Sequence, residues 1–203
     1  MANHTPKDNL RLPVHPADFP GLIAFWDFQQ RQPDGTWPTA AGEPYALHEQ
    51  AGQIAKVQNA DAPFHQQAIE LREGQWLSMD RQRCPRLDIH GREGHLFLMA
   101  WIKRGRTAVD SCEFIAGQWN ETDRSRQYGL FLNISVWTSI SNTLCGHLST
   151  TGGPTTGYKY CMDGPMGATE IDYEQWHCVA MSYDGHVGCA YLDGQLDARP
   201  GLN

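Results

Sequence analysis

WHCVAMSYDG, residues 176 to 185, runs straight into HVGCAYLDG, residues 186 to 194. Each half is a β-rich run, and Asp184-Gly185 stands between them. An Asp-Gly pair between two such runs is a strong hairpin signal, because both turn positions accept positive φ. The stretch therefore predicts two antiparallel strands. Just upstream, Glu170, Asp172 and Glu174 alternate with Ile171 and Tyr173. Were that segment a strand, its three carboxylates would line one face.

Working outward, GLIAFWDF (21–28) is a β-rich run followed by a turn-rich loop, QQRQPDGTWPTAAGEP. AIELREGQWLSM (68–79) alternates around Glu73-Gly74 and reads as a hairpin. HLFLMAWIK (95–103) is apolar on both faces, as expected of a central strand. CEFIAGQW (112–119) and RQYGLFLNISVW (126–137) flank the polar loop NETDRS, and the Gly/Thr-rich loop GHLSTTGGPTTGYKY (146–160) follows. No segment holds helical periodicity beyond about two turns, and strands spaced this way argue for an antiparallel sandwich. Residues 1–20, polar and Pro-rich, read as an arm, and residues 21–203 as one domain.

Composition agrees. Charged residues are 19% of the chain, with 20 Gly and 12 Pro, a balance that suits strands and turns. A net charge of -7 without a Lys/Arg run argues against nucleic acid as a partner. No apolar stretch nears the ~20 residues that span a bilayer, so no membrane is expected. The opening MANHTPKDNLRLPVHP lacks the apolar core of a secretory signal, which makes the expectation a cytoplasmic chain, or a secreted one if the start was trimmed. Three Asn-x-Ser/Thr triplets, at Asn3, Asn120 and Asn133, are taken as chance in that setting. The six cysteines form no C-x-x-C pair, which argues against zinc. Cys178 and Cys189 read as small buried hydrophobes. Cys145 and Cys161 flank the Gly/Thr-rich loop, either as thiols or as a disulfide in an oxidising compartment.

GLIAFWDF, HLFLMAWIK, CEFIAGQW, Tyr128-Gly129-Leu130-Phe131-Leu132 and W-H-x-V-A-x-S-Y-D-G with A-Y-L-D-G appear in an order that resembles the laminin-G-like, concanavalin A-like jelly-roll domains. The resemblance covers roughly residues 21–194. It implies an all-β jelly-roll sandwich of two antiparallel sheets and three kinds of function. The first is a non-catalytic, lectin-like carbohydrate-binding module. The second is a glycoside hydrolase or polysaccharide lyase, and the third a protein–protein interaction domain. Such domains continue past the Y-x-D-G turn, whereas this chain ends at ARPGLN. An oligomer, or a C-terminal piece that completes an open sheet edge, is the corresponding expectation.

Each function has candidate residues. Glu170, Asp172 and Glu174 resemble the E-x-D-x-E strand of laminarinase-type glucanases. Glu170 and Glu174 would lie about 13 Å apart at Cα on one strand. Retaining glycosidases need carboxyl groups ~5–5.5 Å apart, so the side chains would have to converge. One strand from residue 170 to 183 is also unusually long, and a break near Glu174-Gln175 makes 170–174 an acidic loop instead. For sugar binding, Trp119, Asn120, Glu121 and Arg124 offer a ring face with amide, carboxylate and guanidinium groups, and Tyr158 and Tyr160 add rings. Alternatively Arg124 and Arg126 pair with Glu121 and Asp123 merely to order the loop. Calcium is common in the resembled group; Asp27, Asp34 and Asp193 are single candidates that each also fit a turn or strand end, and no ligand set is assigned. Trp26, Trp101 and Trp176 are expected in the core, with Trp37 and Trp119 the candidates for exposed stacking.

Overall fold

A computed structural model describes residues 15–106, 112–134 and 142–199. Most of the expected N-terminal arm, the end of the 126–137 run and the last four residues fall outside that range. The described residues are all-β, with antiparallel sheets and three short 3-10 turns. No helix among them is long and apolar enough to cross a membrane. The chain divides into two compact units, residues 1–60 with 64–83, and residues 61–63 with 84–203.

The first unit holds β1 (Ala24–Phe25), β2 (Thr36–Pro38), β3 (Ala41–Gly42), β4 (Ala46–Gln50), β5 (Ala55–Gln58), β6 (Gln67–Glu70) and β7 (Trp76–Ser78). Strand β1 pairs with β3, β4 lies between β2 and β7, and β5 pairs with β6. Only two residues of the 21–28 run are strand, and the supposed loop after it contains β2 and β3. The 68–79 run is not a hairpin either, since β6 and β7 belong to different sheets. Alternation identified both strands, but it carries no information about which strand each one pairs with. Trp37 also corrects the sequence reading. It is fully buried rather than exposed, with Nε1 donating to Glu49 Oε1 at 3.0 Å. Arg31 grips the same carboxylate through both oxygens, at 2.8 and 2.7 Å. That guanidinium holds the Glu49 carboxyl well below its usual range, down to about 2.

The second unit holds β8 (Leu96–Lys103), β9 (Glu113–Gln118), β10 (Tyr128–Leu132), β11 (Thr143–Leu148), β12 (Met166–Glu170), β13 (Trp176–Tyr183), β14 (Gly188–Leu192) and β15 (Gln195–Leu196). They form two four-stranded sheets, ordered β12-β11-β10-β9 and β15-β14-β13-β8. One core joins them. Leu130, Leu132 and Leu144 from the first sheet pack with Val179, Met181 and Ala190 from the second, a sandwich-like arrangement. Burial of such side chains is worth about 1.5–3 kcal/mol each and is the main force holding the two sheets together.

The hairpin expected at Asp184-Gly185 is present, but its turn works differently. β13 and β14 register at Tyr183↔Gly188, leaving a four-residue connection. Asp184 Oδ1 accepts from the N–H groups of His186 and Val187 at 2.9 and 2.7 Å, and only Gly185 takes positive φ. The two-residue turn sits one hairpin later, at Asp193-Gly194, where both φ values are positive and Leu192 pairs with Gln195. β8 was expected in mid-sheet, yet among the described strands it pairs only with β13. Its double-sided apolarity has another cause. Leu96, Leu98, Ala100 and Ile102 line the core, while Phe97 and Trp101 occupy the opposite face.

Arg104, just past β8, is the polar counterpart of that core, its side chain 2% exposed. Nη2 and Nε donate to Glu113 of β9 at 2.6 and 3.3 Å. Nη1 donates to the Ile171 carbonyl at 2.9 Å, and Nη2 also reaches Asn142 Oδ1 at 3.1 Å and Tyr173 Oη at 3.2 Å. Its guanidinium carbon lies 4.3 Å from the Tyr173 ring centroid. Arg104→Ala should destabilise the fold by about 3–5 kcal/mol, because it strands Glu113 and several buried acceptors. Arg104→Lys should recover part of that loss, since one ammonium cannot serve so many acceptors. Urea unfolding, read as a shift in midpoint at constant slope, measures both.

Candidate functional site

Glu170, Asp172 and Glu174 do not share a strand. Glu170 ends β12, where it pairs with Thr143 of the first sheet. The chain then turns: Ile171 enters the core, Tyr173 bridges Arg104, and Glu174 adopts φ 61° with its N–H donating to the Arg104 carbonyl at 2.8 Å. β13 starts afresh at Trp176 in the other sheet. The single strand that the glucanase-like motif requires is therefore absent, and these carboxylates do not line one face. The acidic-loop alternative is also incomplete, because residues 166–170 form strand β12.

The calcium candidates are occupied by turns. Asp27 Oδ1 accepts from the Gln29 N–H, and Asp34 Oδ1 accepts from the Thr36 N–H and hydroxyl. Asp193 accepts from the Cys178 N–H and contacts His177 Nδ1, both at 2.9 Å. Among the described residues no group of three or more His, Cys, Asp or Glu is placed to hold a metal.

The sugar-type residues are brought closer together. The 119–126 loop joins β9 to β10, and the 149–165 segment joins β11 to β12; because β10 and β11 are neighbours, both leave the same end of one sheet. Asn120 orders the first loop from within. Its Nδ2 donates to Asp123 Oδ2 and its Oδ1 accepts the Asp123 N–H, both at 3.0 Å. Glu121 accepts from Trp119 Nε1 at 3.3 Å and pairs with Arg126 at 3.4 Å. The loops then meet directly, with Arg126 N–H donating to the Gly152 carbonyl at 3.2 Å and Ser149 N–H to the Gln127 carbonyl at 2.7 Å. A Cβ on Gly152 would lie 2.1 Å from the Arg124 carbonyl oxygen, so only glycine permits this contact. The Arg124 guanidinium lies over Gly153.

Tyr158 and Tyr160 are exposed on a turn closed by hydrogen bonds between residues 155, 158 and 160, with Lys159 Nζ 5.1 Å from the Tyr160 ring centroid. The structure thus divides the expected set. Asn120 and Glu121 are committed to loop order, whereas Arg124, Tyr158 and Tyr160 present their groups outward. Trp119 is half-buried.

Sequence reading missed the floor beneath these loops. On the sheet face turned away from the core, Trp119 packs against Phe131 and His147, with ring centroids 5.4 Å apart in each case. Phe114 extends the row, 5.0 Å from Phe131. β11 was overlooked because Gly146 and His147 were counted with the Gly/Thr-rich loop; the strand is buried on both faces, with Leu144 and Leu148 in the shared core and Cys145 in the cluster on the other side. Cys145 Sγ lies 3.7 Å from His147 Nε2, yet this is no nucleophile pair. Burial pushes the thiol far up and pulls the imidazole down to about 4, so both stay neutral. All six cysteines are free; Cys161 donates its S–H to the Leu148 carbonyl at 2.8 Å rather than bridging Cys145.

No family model, curated protein or solved structure matches this chain.

The buried imidazole makes a pH prediction. Unfolded, His147 gains its proton near pH 6.5; folded, it resists until about 4. Its folded pKa is depressed, so stability is lost as pH falls through that window, by up to about 1.4 kcal/mol per unit. Replacing His147 with Phe should flatten the slope of unfolding free energy between pH 6 and pH 5 relative to the parent. An unchanged slope would show that the imidazole is already solvated in the folded state.

Proposed function

We propose that the chain is a non-catalytic, lectin-like carbohydrate-binding module on a concanavalin A-like jelly-roll sandwich. The observation that carries this reading is the convergence of the 119–126 and 149–165 loops at one sheet end, where the Arg124 guanidinium of the first loop lies over Gly153 of the second and the second carries exposed rings at Tyr158 and Tyr160. An exposed ring offers a flat apolar face to sugar C–H groups, and a guanidinium offers fixed donors to hydroxyl oxygens. Loops carried on a rigid sandwich can hold such groups in register. Trp119, Asn120 and Glu121 act behind them, as the packing and hydrogen bonds that set the loop. Nothing in the geometry favours the hydrolase or lyase reading of Glu170 and Glu174.

On a glycan array, Tyr158→Ala should weaken any bound glycan by about tenfold, and Trp119→Ala by as much or more through loss of loop order. Retention of full binding by both variants would remove these loops from the site.

A second reading has its own observation. Among the described strands β8, eight residues long, pairs only with β13, and Phe97 and Leu196 are largely exposed on the same sheet. An open edge of this kind accepts a strand from another copy or another chain. Light scattering should report a mass above 22.8 kDa, and Phe97→Glu should return it to the monomer value.

A further inference from the structure

Cys145, His147 and Met166 meet on the face of the β12-β11-β10-β9 sheet that is turned away from the shared core, and strand geometry puts them there. Cys145 and His147 stand two residues apart on β11, so their side chains leave the same face. Met166 opens β12 and lies directly across from Cys145 in the antiparallel register. All three are almost fully buried, at 1%, 5% and 2% exposed. Cys145 Sγ is 3.7 Å from His147 Nε2 and 3.8 Å from Met166 Sδ.

A thiol, an imidazole and a thioether are donors that soft metal ions select. Among the described residues no three of His, Cys, Asp and Glu form such a set; here methionine completes it. Metal bonds of about 2.3 Å to sulfur and about 2.0 Å to nitrogen, spread at trigonal angles, hold sulfur and nitrogen about 3.7 Å apart and two sulfurs about 4.0 Å apart. The two separations from Cys145 Sγ are close to these values, so the donors need little movement to share one ion. The surroundings favour a single charge. Phe131 and Trp119 crowd the imidazole, with ring centroids 5.0 and 5.4 Å away, and Phe131 is also the neighbour of Cys145 across β10. In so apolar a cluster one thiolate cancels a monovalent ion, whereas a divalent ion would keep an uncompensated buried charge.

We infer that Cys145, His147 and Met166 form a binding site for one Cu(I) ion, held by thiolate, thioether and imidazole nitrogen. Binding exchanges the Cys145 S–H bond for a sulfur–metal bond; the proton passes to water and no electron moves. The ring shell keeps water from the ion and limits its access to oxidants. This site does not depend on the sugar-binding reading, although Trp119 borders both.

The full chain carrying Cys112→Ser, which removes the exposed thiol, is titrated without oxygen with Cu(I) in competition with bicinchoninate, and with Ag(I) as a redox-inert probe. One ion per chain should bind, with quenching of tryptophan emission, and copper X-ray absorption should report two sulfur ligands and one nitrogen. Met166→Leu, which nearly conserves volume, should weaken binding by about tenfold or more, and Cys145→Ser should abolish it. Should Cys145→Ser fail to fold, Met166→Leu still decides. Trp119→Phe should remove the quenching and leave the ion bound. A chain that cannot compete with bicinchoninate, an affinity unchanged by Met166→Leu, or an absorption spectrum without a nitrogen ligand overturns the inference and leaves the three side chains as packing.

Discussion

Two sheets that share an apolar core still need their ends set, and in the second unit Arg104 does this. A guanidinium almost entirely out of water is tolerable only when its fixed fork of donors is filled and its charge is matched. Glu113 supplies the charge from the opposite sheet, while Ile171, Asn142 and Tyr173 fill the remaining positions. The consequence reaches well beyond local stability. Residues 171–174 are drawn away from both neighbouring strands and laid across the arginine, with Ile171 pressed into the core. The carboxylates at 170, 172 and 174 are dispersed by that path, and the chain changes sheets between Glu170 and Trp176.

The first unit uses the same device on a smaller scale. The buried Glu49 side chain is satisfied by Arg31 and the Trp37 indole. A carboxylate held down to about 2 stays charged across ordinary pH, so the Trp37 indole keeps an ionised acceptor. With the back of this sheet anchored, its front can present Trp76 without losing register.

Much of the strand inventory was legible in the residues. β8, β9, β10, β13 and β14 follow runs that were readable as strands, and the β13–β14 pairing follows from the short connection between them. The errors fall where a local pattern has more than one three-dimensional outcome. Residues 68–79 show alternation on both sides of a turn, yet each half found a partner elsewhere. Trp37, among Pro, Asp and Gly, has the context of an exposed loop and is the most buried tryptophan described. Trp76, in an alternating run, has the context of a half-buried strand and is the most open. Of the expected binding set, Arg124, Tyr158 and Tyr160 present outward, whereas Asn120 and Glu121 turn out to order the loop.

What the sequence determined by itself was the class of structure: extended segments, tight turns and no long helix. Those outcomes rest on backbone preferences and on hydrogen bonds spanning a few residues, such as Asp184 accepting from residues two and three positions on. Beyond the β13–β14 hairpin, tertiary structure alone decided which strand pairs with which, which rings are covered, and which carboxylates meet a cation. Each of those depends on groups far apart in the chain, as Arg104 and Tyr173 are, and on desolvation that exists only once both have arrived. A face of alternating residues is written locally. Its neighbour, and whether water reaches it, are not.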